Sequence, residues 1–365
     1  VLKRSENNSS QIAIINLTAF WAFSEGFLGG ILNALKIPFK GLFLGSISVI
    51  VITLIASFSD KKGIILRTGM IVMIIKLMLS PYTSLPAYFA VFVQTLLGEL
   101  FFLNRSYTTL PAILLGIITS AFSSIQRIVV LTLVMGNAFW DTIDQFTSYI
   151  YNEFFGGKTI PSEFKFSNWL VGTYIAIHCI VGFIVGLYAS RLSSKIKGEK
   201  FDAEKFADEM NKISDKGGIT SNEIKKNKSK IFRATKIILY GFLLMVLILS
   251  YVLNDGYFDS KSVWIMLFRS LAITVLWFKI VAPVLQKIVR KKLMKRKDKY
   301  SGEVQNVLTI LPFIKKLFVY AHREAGLNSG FKKITSFIVI IFTVLLKYDF
   351  TTDKIEQSVP DEMQK

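Results

Sequence analysis

Cysteine and histidine are nearly absent, with one Cys and two His in 365 residues. A single cysteine excludes a disulfide framework. His178 and His322 stand far apart in the chain and Cys179 is flanked by apolar residues, so no Cys/His metal cluster is expected. Charged residues are also scarce, at 19% against about 25% in soluble domains. They are lopsided as well, 25 acidic against 44 basic, a net +19. The sequence lacks a G-x-x-x-x-G-K-[ST] phosphate loop, H-E-x-x-H, G-x-S-x-G and a D-x-D-x-D-G calcium loop. The chain is therefore not expected to be its own P-loop ATPase, and no catalytic residue, metal or cofactor is expected.

Apolar residues are what is abundant: 52% of the chain is hydrophobic, 31 residues are Phe, and the mean hydropathy is +0.47. Two classes reconcile this with the basic charge, a nucleic-acid binder with a large core or a membrane protein with basic loops on one side. A bilayer core about 30 Å thick needs roughly 20 apolar residues per helix. Segments of that kind run at 12–34, 39–58, 64–79, 87–103, 111–135, 169–190, 232–253, 262–282 and 331–348. A soluble core does not use half of a chain as uninterrupted stretches, so the expected class is an all-α polytopic membrane protein. The opening VLKRSENNSS is polar and shows no cleavable signal pattern, and its lack of an initiator Met points to a trimmed or incomplete N-terminus.

Charge placement gives an orientation. With Lys3 and Arg4 inside, the inner loops hold Lys61, Lys62, Arg67, Arg105, Arg191, Lys195, Lys197 and Lys200, while the outer ones hold SPYTSLP and Asp141, Asp144, Glu153 and Glu163. This satisfies the positive-inside rule and places the N-terminus in the cytoplasm of a bacterial inner membrane. Lys36 and Lys40, in the first outer turn, are exceptions that snorkelling accommodates. The basic run at 286–299 has no nucleic-acid-binding module or interleaved aromatics. It reads as a patch for anionic lipid at the inner leaflet, and no nucleic acid is expected as a partner.

The expected organisation is a six-span membrane domain over 1–190, a charged cytoplasmic linker over 191–231, a C-terminal membrane module over 232–348 and a polar tail over 349–365. Within the C-terminal module, 283–326 is basic and amphipathic, and its 304–326 stretch reads as a helix on the inner surface. Ionisable groups at membrane depth are costly, so each asks for a partner or a function. Glu25, Lys76, Gln94, Glu99, Gln126, Arg127 and His178 fall inside spans of the first domain. A packing role is open for three of them: Glu25 neutralised by Arg127, His178 as a hydrogen-bonded packing residue, and Glu99. Lys76 and Arg127 sit at outer depth beside Tyr82, Asn137, Trp140 and Asp141, where a pocket would suit an anionic or amphoteric small molecule. Gly182 and Gly186 in span six, and Gly41 and Gly45 in span two, form G-x-x-x-G, the spacing of close helix approach.

Six spans within about 180 residues, a first turn reading LKIPFKGLFLG and a last span reading YIAIHCIVGFIVGLYASRLSSKI resemble the substrate-binding S components of energy-coupling factor transporters, over roughly residues 10–197. The resemblance implies a six-helix bundle that captures a vitamin or other micronutrient near the outer face. It also implies docking on a transmembrane coupling subunit and a pair of ATPases through small residues of the first helix, here Ala19 and Ala22. On this reading spans three to six build the pocket, with Lys76 and Arg127 as charge partners, Gln94 and Gln126 as hydrogen-bonding groups, Trp140 or Trp169 as an aromatic wall and the loop 34–40 as a gate. The C-terminal module is more faintly similar to the end of the coupling T component, although Ala321-His322-Arg323-Glu324-Ala325-Gly326 does not match its Ala-Arg-Gly/Ser signature. A plainer role for that module is an extra anchor or an oligomerisation element. Two other classes stay open: an assembly protein that recruits a cytoplasmic partner, and a lipid-modifying enzyme using Glu99, Arg105 and the inner basic loops.

Overall fold

The computed structural model describes residues 2–35, 39–80, 85–104, 108–155, 165–199, 201–216, 281–326 and 329–350. The expected span at 232–253, nearly all of that at 262–282, the linker beyond 216, the tail beyond 350, Tyr82, Arg105 and the centre of the 34–40 loop lie outside these residues. All regular structure among the described residues is helical: α1 (Leu2–Phe23), a π-helical turn (Ser24–Leu28), α2 (Gly29–Ala34), α3 (Lys40–Phe58), α4 (Ile64–Leu79), α5 (Leu85–Phe101), α6 (Thr109–Met135), α7 (Ala138–Phe155), α8 (Phe166–Gly198), α9 (Ala203–Lys216), α10 (Ala282–Lys297), a 3₁₀ turn (Asp298–Tyr300), α11 (Ser301–Ala325) and α12 (Gly330–Lys347). Five stretches among them are long and apolar enough to cross a membrane: Ser9–Leu32, Lys40–Phe58, Thr109–Met135, Phe166–Ile196 and Pro283–Ala325. The chain is thus an all-α protein with the helices of a multi-pass membrane protein.

The described residues fall into two compact units. The first comprises residues 2–125, 175–214 and 282–350. At its centre α1 packs against α3, α4, α11 and α12, and Leu17, Ala19, Trp21 and Ala22 are wholly buried. Outward-facing side chains of this unit are apolar on α5, α6 and α8, among them Leu96, Leu100, Leu114, Ile118, Ile180 and Phe183, each more than a third exposed. In water such a surface would drive association, whereas lipid accepts it.

The C-terminal helices belong to this same unit, a different division from the separate module that hydropathy implies. Particular contacts explain it. The Asn16 amide nitrogen of α1 donates to the carbonyls of Leu345, at 3.0 Å, and Tyr348, at 2.8 Å, where α12 ends and leaves carbonyls without helical partners. Phe20 stacks on Phe318 and meets Phe342 edge-on. The 304–326 stretch is helical with the apolar face that its spacing predicts, but its helix falls within Pro283–Ala325, which is long and apolar enough to cross a membrane, where the sequence implies a helix lying on the inner surface. Its apolar face of Val304, Val307, Ile310, Ile314, Leu317 and Ala321 is covered by protein, with α1, α4 and α12 as neighbours. The linker helix α9 also contributes to the core: Phe206 is fully buried, with Tyr320, Tyr348 and Phe350 around its ring.

In the second unit the described residues are 126–155, 165–174, 215–216 and 281. Here α7, read from its acidic residues as an outer loop, is a helix. The Asp144 carboxylate accepts the backbone N–H of Ser167 at 2.6 Å and its hydroxyl at 2.8 Å, which fixes α7 to the start of α8. The Trp140 indole donates to the Thr132 hydroxyl at 2.9 Å.

Candidate functional site

Among the described residues of the first unit, helical regularity breaks at the buried π turn. The Gly29 N–H reaches the Ser24 carbonyl, five residues back, and the Ser24 hydroxyl donates to the Phe20 carbonyl at 2.9 Å. A π turn inside an α-helix redirects side chains and is frequent at functional sites. Here it carries Glu25, which is 5% exposed.

The cation that answers Glu25 is Lys76 on α4, with Nζ 2.7 Å from Oε2 and only 2% of the lysine exposed. Glu25 therefore does not rely on Arg127, the neutralising partner considered from the sequence. A hydrogen-bonded set surrounds the pair. The Trp21 indole donates to the Ser48 Oγ at 2.8 Å, and the Ser48 hydroxyl lies 3.4 Å from Glu25 Oε1 and 3.0 Å from the Leu44 carbonyl. Lys76 Nζ is also 3.4 Å from the Ala87 carbonyl and 5.6 Å from the centre of the Tyr88 ring. Four elements, the π turn, α3, α4 and α5, are thereby joined through one buried charge pair. In a low-dielectric interior such a pair holds only while both charges and their hydrogen bonds are present.

One turn along α3 from Ser48, Gly45 faces two further buried polar side chains. A Cβ at Gly45 would lie 3.6 Å from Thr119 Cγ2 and 3.7 Å from Gln94 Nε2. Gln94 Oε1 and Thr119 Oγ1 are buried, at 6% and 2% residue exposure, and both lack a hydrogen-bond partner. An unmet buried group costs about 1–3 kcal/mol, so Gln94 and Thr119 are two uncompensated polar groups beside one glycine.

The other expected site residues have distinct surroundings. Glu99 caps α4: its carboxylate accepts the N–H groups of Gly63 at 2.6 Å, Ile65 at 3.1 Å and Leu66 at 3.4 Å. Gly63 occupies the N-cap position with φ of 79° and has no side chain to do this itself. Glu99→Ala is expected to destabilise the chain by about 1–3 kcal/mol and to speed amide exchange at Gly63, Ile65 and Leu66, as hydrogen-exchange mass spectrometry would show. His178 is buried, with the Phe39 ring centre 5.8 Å from its own. Ala19 and Ala22, the implied docking residues, are covered by the helices around α1. Gly182 and Gly186 bring α8 against Gly116 and Ala112 of α6, backbone to backbone.

Gln126, Arg127, Trp140 and Trp169 belong to the second unit. Arg127 and Trp169 are exposed there, and Trp169 stacks on Phe166 with ring centres 5.9 Å apart. Among the described residues no group of three or more His, Cys, Asp or Glu is placed to hold a metal. Trp21, Ser48 and Thr119 escaped the sequence reading. For Ser48 a signal existed, since it lies on the face of Gly41 and Gly45 and continues their stripe of small residues. Comparison of the chain with protein-family models, curated proteins and solved structures finds no match.

Proposed function

We propose that the chain is the solute-binding membrane component of a transport system. It captures a small solute of the vitamin or micronutrient class near the outer face of a bacterial inner membrane, and separate ATPase subunits supply the energy, in the manner of energy-coupling factor transporters. The observation that carries this reading is a polar seam along α3: Ser48 reaches the Glu25–Lys76 pair, and one turn away Gly45 faces Gln94 and Thr119, whose Oε1 and Oγ1 lack hydrogen-bond partners. Ionisable groups in apolar helices are retained where they serve a path or a ligand. A phosphate loop is missing from the sequence, which fits an energy source in trans.

The geometry modifies the expected chemistry of the solute. Lys76 already has its counter-charge, so the seam suits a neutral or amphoteric molecule that offers a donor and an acceptor to Gln94 and Thr119. Ala19 and Ala22 are covered by the chain's own helices, so coupling subunits would engage another face. The exposed Lys287, Arg290, Lys291 and Lys295 of α10 suit anionic lipid.

Purification of the full chain in mild detergent, with identification of co-purifying chains, tests the proposal. ATPase and membrane coupling subunits are the expected companions. A stable cytoplasmic partner of another kind would favour the assembly-protein reading instead.

A further inference from the structure

A half-open cavity of about 210 Å³ lies in the first unit, where Glu199, Phe201 and Asp202 meet α11 and α12. Val339 and Val344 give it a buried apolar base, and Glu199, Asp202 and Lys205 form an exposed rim. The base contains one polar anomaly. Thr343 lines the cavity, is 4% exposed, and its Oγ1 has no hydrogen-bond partner. A buried hydroxyl in that state calls for a partner from the cavity itself.

The charge of the rim runs against that of the molecule. On a chain of net +19, two carboxylates here stand against one ammonium. That ammonium, Lys205 Nζ, is 4.0 Å from Glu324. Nearby, Arg323 is paired with Glu209 at 3.0 Å, and Lys347 donates to the backbone carbonyl of Glu199, bringing a second ammonium to the opening, so that with Glu324 the described groups there are three carboxylates against two ammoniums. An anion drawn by the overall field would meet the wrong sign at this opening, whereas an organic cation would meet the right one.

We propose that this cavity binds a small amphipathic primary amine that also carries a hydroxyl. The ammonium sits at Glu199 and Asp202, the carbon chain lies on Val339 and Val344, and the hydroxyl partners Thr343. This site is separate from the seam at Glu25 and does not depend on the transport proposal.

Titration calorimetry of the full chain in nanodiscs tests it, with aminohexanol as the probe and hexylamine and hydroxyhexanoate as controls. Aminohexanol is expected to bind saturably in the millimolar range, hexylamine more weakly and hydroxyhexanoate not at all. Glu199→Gln keeps the backbone carbonyl that Lys347 uses, and Asp202→Asn keeps a side-chain acceptor for the Lys205 N–H at the start of α9. The double variant should therefore melt as the parent does while its aminohexanol affinity falls about tenfold or more, the equivalent of about 1.4 kcal/mol. Thr343→Val should reduce aminohexanol binding to the level of hexylamine and leave hexylamine unchanged. Absence of saturable binding, equal binding of hydroxyhexanoate, or unchanged affinity in folded variants would each overturn the proposal.

Discussion

Replacing Lys76 with methionine is expected to destabilise the chain by about 3–5 kcal/mol, the cost of leaving a buried carboxylate without its counter-charge. The methionine keeps the length and apolar stem of the lysine, so lost packing contributes little. What disappears is the 2.7 Å contact to Glu25 and the positive end of the network that joins α4 to the π turn. Changing both partners, Glu25→Gln with Lys76→Met, removes the isolated charge and keeps an amide that the Ser48 hydroxyl can still bond. The double variant should regain most of the lost stability, and thermal unfolding in detergent reads both effects. Equal melting of the parent and the single variant would mean that Glu25 is not held by Lys76 inside the protein.

A comparable loss is expected from a single methyl group at the α6–α8 crossing. A Cβ at Gly116 would lie 2.1 Å from the Gly182 carbonyl oxygen, and one at Gly186 would lie 2.4 Å from that of Ala112. Both are backbone atoms, so no rotamer change relieves the overlap and the helices must separate. Helix association in lipid rests on close van der Waals packing, so separation forfeits it. Gly116→Ala and Gly186→Ala should each destabilise by about 1–3 kcal/mol or more. Two glycines serve as controls. Gly45→Ala meets nothing closer than 3.6 Å and Gly30→Ala meets nothing within 4 Å. Each control should melt at or slightly above the parent temperature, because alanine favours a helix over glycine by about 1 kcal/mol. Equal effects at all four positions would show that helix propensity, and not the crossing, governs them.

Much of the helical outline was legible because hydropathy along a chain needs no tertiary information. The segments 39–58 and 64–79 match α3 and α4 within a residue, and 331–348 matches α12 equally closely. The heptad-like spacing from Val304 to Ala325 likewise announced an amphipathic helix. Its surroundings were not legible, since spacing tells which face is apolar but not whether lipid or protein covers it. For the same reason α9 read as a solvated linker, although Phe206 anchors it in the core. In α7, apolar and acidic residues alternate too closely for a span, and the acidic ones pointed to a loop.

The candidate site was legible as a set of residues but not as a set of pairs. Glu25, Lys76 and Gln94 stood out because polar groups are rare in apolar runs. Glu25 and Lys76 are 51 positions apart, and only the packing of α1 on α4 makes them partners. The π turn leaves no mark in the sequence beyond Ser24 and nearby glycines. Glu99 looked like a candidate for chemistry because its role depends on N–H groups more than thirty residues earlier, at a glycine that cannot cap its own helix.

On the proposed function, the seam of Gln94, Thr119 and the Glu25–Lys76 pair receives a small solute. Thermal stabilisation of the purified full chain by a panel of vitamins and other micronutrients, run in parallel on Gln94→Leu, reads this binding. A solute of the panel is expected to raise the melting temperature of the parent in a saturable manner, and Gln94→Leu, itself folded, to lose this response. A parent that no solute in the panel stabilises, or a Gln94→Leu protein that responds as the parent does, would contradict it.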